Sequence, residues 1–299
     1  MPGHRSGEQA YAAAQADLTY YQILETRGHG RILRTANELQ QHIRQWSTQD
    51  CTDDLPVGLI LGIEGADSIL WPEQVHAWRD AGVRVVSLAH YGVSAWCHGT
   101  GTGTDGGLFA GADKLLREMD GAGIILDVTH ASDRSNEESL ELFGGRVIAT
   151  HHNCRTLVPG ERQLPDHLLH AIIQREGVVG VSMDPWMLYR PGIDWSNIPP
   201  DRRSLFPRES ITLNDIADHV DHICQLAGNS RHAAIGGDTD GQGGCEGAPA
   251  DVDTVADYGK LADVLTQRGC SADDVENVMF RNWLRVLSAN MPDELEPNN

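Results

Sequence analysis

Between Val57 and Asp238 the chain repeats one pattern, a short β-branched apolar run followed by a longer stretch with helical periodicity. That alternation is the signature of βαβ units and a parallel sheet. The expected strands are Gly58–Ile63, Val83–Ala89, Ile124–Thr129, Arg146–Thr150, Val178–Met183 and Ala233–Gly237. Five of these runs lead directly into an ionisable residue, Glu64, His90, His130, His151 and Asp238 respectively for the first four and the last. In a parallel barrel the C-terminal strand ends converge on one face, so residues far apart in sequence meet there. Imidazole and carboxylate suit zinc and similar ions. A lone histidine is more often a hydrogen-bonded core residue, but three histidines and two acids in the same register favour a metal site.

Helix starts are expected where Ser135 precedes Glu138, Thr212 precedes Asp215 and Ser271 precedes Asp274, each a capping-box spacing. Before Gly58 only helix-like segments are read, Glu8–Thr26 and Thr35–Trp46. Two linkers, Tyr91–Gly107 and Asp184–Ile211, are long enough to be lids or binding loops.

Composition removes several classes of function. With 23 basic against 43 acidic side chains the net charge is −20, which repels a phosphate backbone and excludes nucleic acid as an expected partner. No apolar run is long enough to span a bilayer and Met1–Ala16 has no apolar centre, so a cytoplasmic protein without a membrane anchor is expected. The cysteines, Cys51, Cys97, Cys154, Cys224, Cys245 and Cys270, are scattered without a C-x-x-C pair and read as small buried hydrophobes.

From about Gly58 to Leu287 the chain resembles the membrane (renal-type) dipeptidases of the amidohydrolase superfamily, peptidase family M19. The resemblance is carried by GIEGADSI from Gly62, GVRVVSLAHYGVS from Gly82, GIILDVTHAS from Gly123 and RVIATHHNC from Arg146. It continues in ERQLPDHLL from Glu161 and HVDHICQLAGNSRHAAIGGDTDG from His219. It implies that Glu64 is the carboxylate bridging two zinc ions and that His130 and His151 are imidazole ligands of one of them. His90 is implied to contact the substrate carbonyl and steady the tetrahedral intermediate, Arg162 to hold the substrate's free carboxylate, and Asp238 to shuttle the proton. His152 and Asp240 are assigned to the surroundings of the site or to structure. The residue types suit the chemistry: metal lowers the pKa of water, a carboxylate moves the proton, and a guanidinium fork pairs with a carboxylate.

One element of the family pattern, an initial strand ending in His-x-Asp that gives the other zinc two ligands, has no counterpart in residues 1–63; neither His4 nor His29 is followed two places on by Asp. The expected fold is therefore α/β, a TIM-type (β/α)8 barrel of the metal-dependent hydrolase kind that lacks its first two strands here. It forms one domain over residues 1–299 with a polar tail at 291–299. One zinc ion keeps its dedicated ligands where the family holds two, activity is reduced, and uncovered sheet edges leave room for a homodimer. The expected function is zinc-dependent hydrolysis of dipeptides with a free C-terminal carboxylate. The alternatives are a non-catalytic dipeptidase-like binding protein and an amidohydrolase acting on another small amide or lactone.

Overall fold

The apolar runs become short parallel strands, each followed by a helix, in a computed structural model that describes residues 6–48, 55–104, 106–191, 208–239 and 247–294. His4, Cys51, Cys245, Asp240, and the middle of the second long linker lie outside the described residues. The chain forms two compact units, the first comprising residues up to Arg146 and from Arg285 onward, the second Val147–Leu284.

The first unit opens with α1 (Gly7–Thr26), β1 (Gly30–Ile32), α2 (Ala36–Thr48), β2 (Val57–Leu59) and β3 (Leu61–Glu64). It continues with α3 (Val75–Ala81), β4 (Val83–Ser87), α4 (Ala112–Gly121), β5 (Ile125–Asp127) and α5 (Asp133–Leu142). β1 pairs in parallel with β2, and β3 and β5 flank β4, also in parallel. The three-residue β1 was not among the expected strands, because a run with Arg31 at its centre has neither the length nor the alternation of a strand. The expected run Gly58–Ile63 is divided at Ile60, with β2 on one neighbour and β3 on the other.

All five residues of β4 and all three of β5 are buried, as continuous apolar strands require when both faces are covered. Leu115, Leu116 and Met119 make the inner stripe of α4, which packs on α3 and β5. Each fully buried side chain of this kind contributes about 1.5–3 kcal/mol of transfer free energy. Arg84, buried within β4, donates to Arg34 O at 2.9 and 2.6 Å, to Arg79 O at 2.7 Å and to Val83 O at 2.7 Å, satisfying carbonyls at the end of α3 and after β1.

The helix start expected at Ser135 lies three residues earlier. Ser132 is the cap of α5 and accepts from Ser135 N, while Ser135 Oγ donates to His98 O at 2.8 Å and Glu138 accepts from Leu108 N at 2.7 Å. Those side chains are used to hold the Tyr91–Gly107 linker, which folds back on itself through Gly99 N to Gly92 O and Gly92 N to Thr100 O, both 2.7 Å.

The second unit contains β6 (Val147–Ile148), α6 (Asp166–Gln174), β7 (Val179–Ser182), α7 (Leu213–Ala227) and β8 (Ala233–Gly237), then α8 (Lys260–Gln267) and α9 (Ala272–Glu276). A final helix α10 runs from Asn282 to Asn290. β7 pairs in parallel with β8, and a parallel bridge joins Ala149, after β6, to Val179. The capping boxes at Thr212 with Asp215 and Ser271 with Asp274 form as expected, and a third forms at Thr254 with Asp257. α7 buries Ile216, Val220 and Ile223 toward β7 and β8. Cys97, Cys154, Cys224 and Cys270 are free thiols, and burial pushes Cys97 up to about 11 and Cys224 up to about 12, in keeping with inert small hydrophobes. Among the described residues no helix is long and apolar enough to cross a membrane.

Candidate active site

In the first unit Glu64, at the end of β3, comes together with His90 and His130, which follow the adjacent strands β4 and β5. Glu64 ends β3 in register with Ser87, and the next turn is drawn against β4: Gly65 N donates to Ser87 Oγ at 3.0 Å and Ala66 N to Leu88 O at 3.3 Å. Gly65 has φ 88°, and a Cβ there would stand 3.3 Å from His90 N. Glycine is therefore what lets the end of β3 approach the residue after β4 so closely.

His130 is placed by a different device. Asp127, the last residue of β5, accepts from Thr129 N at 3.0 Å and from Thr129 Oγ1 at 2.6 Å, forming a side-chain turn that redirects the chain. His130 comes next with φ 68°, and its carbonyl accepts from Thr100 N at 2.7 Å. A left-handed non-glycine residue costs of order 1–3 kcal/mol and persists only where its surroundings over-determine it.

The buried imidazole of His130 brings Nε2 to 3.0 Å from Glu64 Oε1, and the half-buried His90 brings Nε2 to 4.0 Å from Glu64 Oε2. The two imidazole centroids are 4.4 Å apart at 55°, and Tyr91 meets both edge-on at 5.0 and 4.6 Å. One donor atom from each of Glu64, His90 and His130 lies within 4.8 Å of the others. Two atoms at about 2.1 Å from one ion stand at most about 4.2 Å apart, so a small closing movement suffices. One carboxylate and two imidazoles is also a donor set that zinc accepts with a coordination position left open. Glu64 and His90 further line a cavity of about 820 Å³, with Leu61, Ile63, Trp78 and, from α1, Ala10, Asp17 and Tyr21 also among its walls.

The second unit carries the remaining expected residues. Thr150 and His151 come after β6, with Thr150 Oγ1 2.9 Å from His151 Nδ1. Arg162 is buried; its Nη2 donates to His151 O at 3.1 Å and its Nη1 lies 3.3 Å from Nδ1 of His152. His152 thus touches the arginine. Asp238 comes after β8 with φ 66°, and Ser182 Oγ, at the end of β7, donates to its Oδ2 at 3.3 Å. Of the three non-glycine residues with positive φ among those described, two are His130 and Asp238, which places backbone strain at candidate site residues.

Sequence reading passed over Asp184. It stands directly after the run Val178–Met183, so the fifth run, like the other five, leads into an ionisable residue, and that regularity could have found it. Its carboxyl is buried and accepts from Trp186 N at 3.0 Å. Burial, reinforced by the charge of Asp238 and opposed by Trp186 N–H, Arg162 and His151, pushes it up to about 7. His151, Arg162, Asp184 and Asp238 therefore share one electrostatic neighbourhood.

Residues 11–295 match the family model described as "Membrane dipeptidase (Peptidase family M19)". The chain belongs to this family. Among curated relatives of this M19 chain, "Dipeptidase tcpJ" of Claviceps purpurea (strain 20.1) is 30% identical over 234 residues, covering 76% of the chain and 50% of the relative. The chain spans about half the length of the first curated relatives it matches. Among solved structures, dipeptidase AC of family M19 superposes with a TM-score of 0.79 at 21% identity, covering 96% of this chain and 79% of its own. A Rhodobacter sphaeroides metallopeptidase, solved with a phosphinate mimic of the dipeptide L-Ala-D-Ala, gives a TM-score of 0.78 at 21% identity, over 96% of this chain and 76% of its own. The M19 fold is thereby assigned to the chain.

Proposed function

We propose that this M19 chain hydrolyses the amide bond of dipeptides with a free C-terminal carboxylate, with zinc as its metal. The observation that carries the reading is the donor set of Glu64, His90 and His130 at three successive strand ends, of which Glu64 and His90 border a cavity large enough for a dipeptide. Glu64 and His130 would hold the ion, with His151 as a further imidazole ligand. A divalent ion held there supplies a Lewis acid for the scissile carbonyl and for activation of water. His90, the less buried of the two clustered imidazoles, borders the cavity and serves as the hydrogen-bond partner of the substrate carbonyl. Asp238 takes the proton of the attacking water and returns it to the leaving amine. Arg162 pairs with the carboxylate of the substrate through its planar fork. The ligand of the Rhodobacter neighbour, a mimic of L-Ala-D-Ala, supports a dipeptide as the substrate class.

Hydrolysis of a panel of dipeptides and their C-terminal amides by zinc-loaded protein, beside Glu64→Gln, tests the reading. Turnover of the free acids that is lost in Glu64→Gln is expected. Zinc-loaded, folded protein that binds dipeptides and releases no amino acid from any of them would overturn it in favour of a binding role.

A further inference from the structure

At the ends of β7 and β8 the parallel register slips. Val181 pairs with Ile235 but Ser182 pairs with Gly237, so Gly236 is an extra residue on β8. Bulges of this kind re-aim the side chains beyond them. This one can form because two glycines meet: a Cβ on Gly236 would stand 2.7 Å from Gly180 O. Beyond it Gly237 and Asp238 both take left-handed backbone, with φ 69° and 66°, and Gly237 O accepts from Met183 N at 2.7 Å. The bulge and the two left-handed residues turn the Asp238 carboxylate onto Ser182.

Ser182 is itself fully buried and fixed on both sides. Its backbone N–H donates to Asn153 Oδ1 at 2.9 Å, and its carbonyl accepts from Asn153 Nδ2 at 3.1 Å. Its hydroxyl accepts from Asp184 N at 3.2 Å. A hydroxyl carries one proton, so with a donor already on its lone pair the Ser182 proton points to Asp238 Oδ2, 3.3 Å away. Asp184 holds the turn that supplies this N–H, because its own carboxyl caps Trp186 N at 3.0 Å.

We propose that Ser182 is a positioning residue for Asp238, its hydroxyl oriented by the Asp184 backbone so that it donates to, and fixes the rotamer of, the carboxylate that moves the proton. The inference rests on the role given to Asp238 above. A donor on a carboxylate favours its ionised form, the form able to accept a proton. The charged groups in the neighbourhood of Asp184 are Asp238, Arg162 and His151, and none of them is altered by changing Ser182.

The experiment compares Ser182→Ala, Ser182→Thr and Ser182→Val with Asp238→Asn in the full zinc-loaded chain. Dipeptide hydrolysis is followed over pH, and the Asp238 carboxyl carbon is followed by NMR, assigned by its absence from Asp238→Asn. In Ser182→Ala kcat falls roughly tenfold with KM little changed. The acid limb of the rate profile and the Asp238 resonance both move up by about one pH unit. Thr restores both and Val, of similar shape without the hydroxyl, does not; that pair decides the matter even if the Ala variant folds poorly. Thr and Val behaving alike, or an Asp238 titration unmoved in a folded Ala variant, overturns the role of Ser182. Full activity in Asp238→Asn overturns instead the role of Asp238 on which it depends.

Discussion

His130 Nε2 lies 3.0 Å from Glu64 Oε1 although the strands that carry the two residues, β5 and β3, are separated by β4. The contact spans a whole strand because both residues are turned over the end of β4, one by the Gly65 turn and the other by the Asp127 side-chain turn. His90, after β4 itself, then stands beside both. The site depends on these turns as much as on its donors.

Gly65→Ala tests that dependence. At φ 88° and ψ 107°, outside the left-handed helical well, a side chain costs of order 1–3 kcal/mol, and here the new Cβ would also press on His90 N at 3.3 Å. Gly269→Ala has a similar φ of 92° and nothing within 4 Å, so it carries the backbone cost alone. Thermal melts should show both variants destabilised, while zinc binding weakens in Gly65→Ala only. Unchanged zinc affinity in Gly65→Ala would mean that the close approach does not set the ligand geometry.

Asp184 gives a pH dependence whose sign is fixed. Burial, then the charge of Asp238, raises its carboxyl to about 7 in the folded protein. Between the ordinary carboxylate value of about 4 and that pH, the unfolded chain has lost the proton while the folded chain keeps it. The stability this group confers is full below the ordinary value and is lost as pH rises to about 7. Asn cannot ionise and still offers an oxygen to Trp186 N. The melting temperature of Asp184→Asn relative to the unaltered chain should therefore climb from pH 4.5 to pH 7 and then level off. A difference that is constant across this range would show that Asp184 is ionised throughout.

Arg162→Lys should separate recognition from architecture. The buried guanidinium donates to His151 O and meets His152, contacts that an ammonium reproduces only in part. On dipeptides with a free carboxylate, kcat/KM should drop by roughly 10- to 100-fold, the value of a charge-assisted bidentate pair. On the C-terminal amides, already poor substrates, the further drop should be small. Equal losses on acid and amide would remove Arg162 from carboxylate recognition and leave it a structural role.

Much of this arrangement is legible from residues alone. Ala233–Gly237 is a strand over the expected span, Val83–Ala89 and Val178–Met183 differ from β4 and β7 only at their ends, and Glu64, His90 and His130 meet as strand-end residues should. Thr212 and Ser271 cap helices because Asp215 and Asp274 reach back to the cap backbone N–H while the cap side chains accept from the first turn. Ser135 and Glu138 have the same spacing but spend their side chains on His98 O and Leu108 N, a tertiary fact that no local pattern carries. β1 escaped because three residues around an arginine have no periodicity, and its pairing with β2 is what makes it a strand. Ser182 escaped because a buried serine is ordinary until the bulge at Gly236 brings Asp238 to it.

Zinc binding to the purified, metal-stripped chain, measured by equilibrium dialysis beside Glu64→Gln, His90→Ala and His130→Ala, decides whether these strand ends hold a metal. The unaltered chain should take up zinc. Loss of Glu64 or His130 should weaken that binding beyond the roughly 10- to 100-fold that removal of even a group supporting a ligand causes, with His90→Ala weakening it less. Zinc bound with the same affinity by the unaltered chain and by both Glu64→Gln and His130→Ala would contradict a metal site at these strand ends.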